Sequence, residues 1–202
     1  MRPRNLQTLL LLLALTALTA CRGAVPPIAF YTLSSLPAAT DQTALASAPS
    51  VGVGPLTIPR MIDRPHIVTR GAAGELHIDE FHRWAGTLES AVLNSVTQSV
   101  AKKLGSERVV AYPWTNFIDP DYRVPIDILR LDGELGGIVT LDATWGVTLR
   151  DKHRASVVRK ATIREQTAGP SYADLVAAHN RALETLSAMG VAEIEALRTA
   201  GQ

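Results

Sequence analysis

The sequence predicts an α+β fold: a mostly antiparallel mixed sheet with two long helices packed on one face. Three observations carry this. Candidate elements run in the order strands, helix, strands, helix. The segment Val139–Leu149 alternates apolar and polar residues throughout, the mark of a sheet with one dry side. The segments 87–104 and 172–197 instead repeat apolar residues at helical spacing. A chain of 202 residues, 47% hydrophobic and 19% charged, is globular and long enough for one domain with a real core.

The chain begins with a positive region, Arg2 and Arg4, followed by an apolar run, Leu6 to Leu18, too short for a membrane-spanning helix. Leu18-Thr19-Ala20-Cys21 then resembles a bacterial lipobox: an aliphatic residue, two small ones and the cysteine that receives lipid. The resemblance implies cleavage before Cys21 and acylation of its sulfur and new amino group, so residues 1–20 read as a lipoprotein signal peptide. A plain secretory peptide with a free cysteine near its cleavage site is the alternative. Two or more acyl chains anchor stably where one is marginal. Cys21 is the single cysteine, so no internal disulfide or thiolate cluster can form. Arg22 follows it; in Gram-negative lipoproteins an aspartate there retains the protein in the inner membrane, so arginine implies sorting to the outer membrane. Without Arg2 and Arg4 the net charge of +1 becomes −1, 18 basic residues against 19 acidic. That balance gives no electrostatic footprint for nucleic acid.

Residues 21–27 read as a lipidated tether, and residues 28–202 as a single domain. Ala29 to Leu33 is a candidate strand, and 34–49 a loop rich in Ser, Ala, Thr and Pro. Val51 to Leu56 alternates around two glycines and stops before Pro59, which suggests a strand with close backbone approach. Ile67–Thr69 and Glu75–Ile78 are short strands about a Gly71–Gly74 turn. From Thr87 a helix carries Leu88, Val92, Val96, Val100 and Leu104 on one stripe, with Gly105 where a C-terminal cap belongs. Val109 to Tyr112 is the next strand, stopped by Pro113. Val124, Ile126 and Ile128 alternate in the first of three successive strands. In the second, Val139, Leu141, Ala143, Trp145, Val147 and Leu149 share one face. Val157 to Ile163 is the third. The last helix starts near Pro170-Ser171, with Tyr172, Leu175, Val176, His179, Leu183, Leu186, Met189 and Leu197 as its apolar stripe.

Catalytic chemistry is not legible. None of the five histidines falls in an H-E-x-x-H pattern or pairs at helical zinc-site spacing. No serine sits in G-x-S-x-G. Gly52-Val53-Gly54 lacks the third glycine of a dinucleotide loop, since position 57 is Thr57. Asp79-Glu80, the one adjacent carboxylate pair, reads as a solvated turn, and His179 as a satisfied core histidine. The expectation is a non-enzyme with no metal and no cofactor beyond the covalent lipid on Cys21.

Two stretches are over-specified for a bland surface. In the first, Pro59 to Arg70, prolines stiffen the chain, and Arg60, Arg64 and Arg70 stand with His66 against a single Asp63. It reads either as a rigid basic loop for a partner protein or lipid headgroup, or as a structural crossover in which Asp63 pairs locally with an arginine. The second is Phe81-His82-Arg83-Trp84, just before the first helix. Here Trp84 either staples the helix start to the sheet or, with Arg83, meets a partner. Tyr112-Pro113-Trp114 poses the same choice at a strand end.

These segments together resemble the PqiC/YmbA family of auxiliary lipoproteins. The matching elements, in order, are the lipobox, Tyr31-Thr32-Leu33, Val51-Gly52-Val53-Gly54-Pro55, Ile58-Pro59, and Asp63 through Arg70. His82-Arg83-Trp84, Tyr112-Pro113-Trp114, Asp132-Gly133 and Ala143-Thr144-Trp145 follow. The resemblance covers nearly the whole chain. It implies an outer-membrane lipoprotein facing the periplasm. Its partners would be a periplasm-spanning MCE-domain protein and an inner-membrane transport component, together moving lipids and supporting envelope integrity. It also implies homo-oligomeric ring assembly and no catalytic residues. A direct lipid-binding carrier, with a cavity between sheet and helices, is the alternative; the single apolar strand face, already needed by the helices, argues against it.

Overall fold

The computed structural model describes residues 26–34, 48–71, 74–114, 118–151 and 157–200. The readings of a signal peptide, of lipid attachment at Cys21 and of sorting at Arg22 lie outside them. The strands are β1 (Ala29–Tyr31), β2 (Val51–Thr57), β3 (His66–Arg70), β4 (Leu76–Trp84), β5 (Val109–Ala111), β6 (Tyr122–Gly133), β7 (Ile138–Leu149) and β8 (Val157–Gln166). The helices are α1 (Leu88–Leu104) and α2 (Tyr172–Ala200).

The architecture is mixed, mostly antiparallel β with two helices packed against it, as the sequence predicts. It is divided, however, into two sheets. The larger has the order β5-β2-β6-β7-β8, and the smaller β1-β4-β3. β6, β7 and β8 form an antiparallel meander, while β2 runs parallel to both its neighbours. In the small sheet β1 is parallel to β4 and β3 antiparallel to it.

Both helix boundaries follow from local chemistry. Thr87 caps α1 by accepting the Ser90 N–H at 3.3 Å on Oγ1, and Gly105 closes it in the left-handed region at φ 58°. At the start of α2, Ser171 and Asp174 cap reciprocally. The Asp174 N–H donates to Ser171 Oγ (3.1 Å), and the Ser171 N–H donates to the Asp174 carboxylate (3.3 Å). α1 lies over β5 and β2, α2 over β6, β7 and β8, and the helices pack on each other. Leu88, Val92, Val96 and Val100 of α1, with Leu175, Ala178, Leu183 and Ile194 of α2, are buried against the strand face carrying Val53, Ile128, Leu141 and Val147. Met189 departs from the expected stripe: it is exposed, and Gly190 and Ile194 carry the buried face onward.

Registry explains the strands that alternation alone misjudges. A bulge between Ile128 and Arg130 shifts β6 by one residue, so Leu131 returns to the core and Leu129 turns outward. The close approach expected at Val51–Leu56 is real. A Cβ on Gly52 would lie 2.8 Å from Trp114 and Pro120, and Gly54, at φ 110°, has Tyr112 Cβ 2.7 Å from where its own would stand. Trp114 is buried and meets Tyr112 edge-on, so this pair closes the sheet beside Gly52. The peptide bonds before Pro55 and Pro113 are cis.

Candidate functional site

The structure brings together the two stretches that the sequence singles out. His66 is the cross-strand neighbour of Arg83, and the Trp84 N–H donates to the Pro65 carbonyl at 2.7 Å. The Pro59 carbonyl accepts the N–H groups of Ile62 (3.0 Å) and Asp63 (3.2 Å), closing a turn ahead of β3. Ile62 pins this turn to the core at 3% exposure. Pinning one side chain inward drives its neighbours outward: Arg60, Met61 and Asp63 are exposed, Met61 at 58%. Asp63 makes no ion pair among the described residues, so the local Asp63–arginine pairing does not form.

The other candidates differ in how far they are already engaged. Arg64 is half-buried, and its Nε has no hydrogen-bond partner among the described residues. His66 and Arg83 share Glu80, at 3.9 Å and 4.0 Å, with Arg83 Nε also donating to the Glu80 carbonyl. Such long, half-exposed pairs contribute little stability. Arg70 is committed elsewhere. It grips Asp132 of β6 through Nε at 2.8 Å and Nη2 at 2.6 Å, and Arg130 adds a second contact to the same carboxylate. Burial pushes the Asp132 carboxyl upward, but the hydrogen bonds and charges of Arg70 and Arg130 outweigh it and hold the group below its ordinary range. The Asp132 hydrogen bond in turn raises Arg70 above its usual value. Trp84 is also a core residue, 4% exposed, with its ring edge-on to His179 of α2 at 6.0 Å. A partner does not reach Trp84 without opening the domain, and Arg70, though partly exposed, is already held by Asp132.

Asp79 is not the solvated turn residue expected. It folds a bulge into β4: four residues, 79–82, lie between positions paired with Val68 and His66, which flank a single residue of β3. Asp79 Oδ1 accepts the N–H groups of Phe81 (2.8 Å) and His82 (2.7 Å), and Oδ2 accepts the Tyr172 hydroxyl (3.0 Å). His82 Nδ1 lies 2.8 Å from the same Oδ1, and its ring stacks on Tyr172 at 3.9 Å. Burial pushes Asp79 up, yet these hydrogen bonds leave it below the usual carboxylate range. Desolvation and the Asp79 contact push the Tyr172 hydroxyl up to about 12. Oδ1 thus holds the β4 bulge together, while Oδ2 and the His82–Tyr172 stack join β4 to the start of α2, so the arrangement is a seam between the two. Among the described residues, no group of three His, Cys, Asp or Glu side chains could hold a metal ion. Nor is any helix long and apolar enough to cross a membrane.

The molecule is thus two sheets with two helices packed against them, its buried carboxylates tying elements together and an exposed turn standing at one edge. The chain belongs to the family of ABC-type transport auxiliary lipoprotein components, whose model matches residues 31–189. The family is a non-catalytic, auxiliary part of transport systems. Two crystal structures share the fold. One is an uncharacterized protein, at 15% identity, TM-score 0.67 and coverage of 84% of this chain and 99% of that one. The other is a protein of Xanthomonas campestris, at 19% identity, TM-score 0.67 and coverage of 86% and 99%. A comparison with curated protein sequences finds no match.

Proposed function

We propose that this protein is a periplasm-facing, outer-membrane lipoprotein subunit of an MCE-type lipid-transport system. It would hold the outer-membrane end of a periplasm-spanning MCE-domain tunnel, fed by an inner-membrane component, with copies of the chain arranged as a ring. The observation that carries this reading is the family match over residues 31–189. The lipobox at Leu18–Cys21 and Arg22 support acylation and outer-membrane sorting. In this reading residues 1–20 are removed, 21–27 form the tether, and one domain starts at residue 28. The surface offered to the tunnel protein is the turn of Arg60, Met61 and Asp63, with Arg64 and His66 beside it. A turn pinned by Pro59, Ile62 and Pro65 loses little entropy on docking.

The carrier alternative needs room for an acyl chain between sheet and helices. That layer is occupied by fully buried side chains, Val92, Val96, Leu141, Leu175, Leu183 and Ile194, which supports the docking role instead. The test is co-purification with the MCE-domain protein from detergent-solubilised envelopes. Arg60→Glu should lose the partner with an unchanged melting temperature, and Cys21→Ala should leave the membrane fraction. Retention of the partner by Arg60→Glu removes the turn from the interface. Full membrane retention of Cys21→Ala removes the anchor.

A further inference from the structure

The small sheet has two faces, and cross-strand neighbours share one. In the row Tyr31–Trp84 the side chains point inward. Trp84 is buried against His179, and the Tyr31 ring lies 6.5 Å from that of Tyr172. The adjacent row, Phe30–Arg83–His66, therefore faces away from α2. Phe30, 65% exposed, is the most exposed large apolar side chain among the described residues, and Ile28, two positions earlier, is 45% exposed.

We infer that this outward face, Ile28, Phe30 and Arg83, rests on the lipid bilayer that holds the Cys21 anchor. The inference rests on the acylation of Cys21 proposed above. Its first support is reach. Phe30 follows Cys21 by nine positions, and at roughly 3.3–3.6 Å per residue the intervening chain spans about 30 Å at most. Among the described residues β1 is the first strand after the anchor, so it is the strand tied most closely to the membrane plane. The second support is chemistry. An isoleucine and a phenylalanine left in water gain by entering the boundary between headgroups and acyl chains. An arginine beside them lays its stem on apolar surface and raises its guanidinium to the phosphates.

Charge says how the contact works. Glu80 lies 4.0 Å from Arg83 and 3.9 Å from His66, so the row carries its own counter-charge. The face is no polybasic patch, and apolar insertion rather than headgroup attraction holds it. The contact should then persist at high salt, where purely electrostatic adsorption is screened. The turn of Arg60, Met61 and Asp63 lies on the β3 side of the same sheet, across β4 from β1, and stays free for a protein partner.

The test uses the full acylated chain reconstituted in vesicles of phosphatidylethanolamine and phosphatidylglycerol. Acylation consumes the Cys21 thiol, so an introduced cysteine is the one site for a polarity-sensitive fluorophore. Ile28→Cys should give blue-shifted emission that lipid-borne nitroxides quench, unchanged by high salt. Val158→Cys, on β8 where Val158 is 60% exposed, should report water. Adding Phe30→Ser to Ile28→Cys should reduce both the shift and the quenching. A protein that fails to float with the vesicles, and lacks acyl mass by mass spectrometry, overturns the anchor and this inference together. A protein that floats while position 28 reports water overturns the inference alone. Shielding of position 28 without nitroxide quenching places protein on this face, a second copy or a partner, and also overturns it.

Discussion

His179 couples the stability of the fold to pH through one buried ring. It is fully buried on the core stripe of α2, with Nδ1 2.8 Å from the Leu175 carbonyl, so the neutral ring carries its proton on Nδ1 and donates it there. Burial pushes its pKa below the usual histidine value; the Leu175 carbonyl and the Asp132 charge oppose this without cancelling it. A depressed folded pKa gives stability that is present above the unfolded value, about 6.5, and is lost as pH falls from there through the folded value. Thermal melts of the wild type should therefore weaken as pH falls below about 6.5, and His179→Leu should flatten that part of the profile. Trp145 makes a different case. It stands in register with Ile126 and Arg159, 6% exposed, and its indole N–H has no partner among the described residues. Its worth is volume, so Trp145→Ala should cost about 3–5 kcal/mol. Trp145→Phe, which keeps a ring and removes an unsatisfied donor, should cost less than about 1.5 kcal/mol. Chemical denaturation separates the two, and equal losses would show that the indole nitrogen matters after all.

β4 is the element whose role depends on one carboxylate. Asp79→Ala removes the acceptor for two backbone N–H groups, the His82 ring and the Tyr172 hydroxyl, at a cost of about 1–3 kcal/mol. Tyr172→Phe removes a single hydrogen bond and should cost about 0.5–1.5 kcal/mol. Hydrogen exchange at Phe81 and His82 should rise in the first variant and stay low in the second. The Tyr172 pKa is raised, so its contribution is complete below about 10 and disappears as pH climbs toward about 12. Ultraviolet titration of the phenol should show one late ionisation that is absent in Tyr172→Phe. This element also marks where the sequence stops being legible. The helices, their caps and the β7 alternation repeat within a few residues, so periodicity reveals them. The bulge at Asp79 breaks the alternation of β4 after Ile78. Phe81–Trp84 then looks like the approach to a helix when it is the continuation of a strand. Asp79 spends its oxygens on Tyr172, 93 positions away, and no local pattern announces that.

At the scale of the molecule, the two sheets are joined by α2 and by the grip of Arg70 on Asp132. The carboxylate is buried but both arginines are partly exposed. Asp132→Ala therefore frees guanidinium groups that can turn to water. Its cost should be about 1–3 kcal/mol, below the roughly 3–5 kcal/mol of breaking a fully buried pair. Limited proteolysis should find the β3–β4 hairpin cut first in this variant. The division into two sheets was not readable from the sequence, because β1, β2 and β5 pair in parallel with distant strands and parallel pairing leaves no turn signal. Nor was the fate of Arg70, whose partner lies 62 positions ahead. The parallel seating of β2 has a further consequence, for the order of events in folding. The meander of β6, β7 and β8 closes through neighbours in sequence. Its seam with β2 joins Ser50 to Asp121 and Thr57 to Asp127, about 70 positions apart, a loop whose closure entropy must be met before any of those contacts form. A chain emerging N-terminus first thus carries β2 without a strand partner until β5 and β6, more than fifty positions later, are through. Val51 to Leu56, an inner and largely buried strand once folded, stays unpaired through that interval.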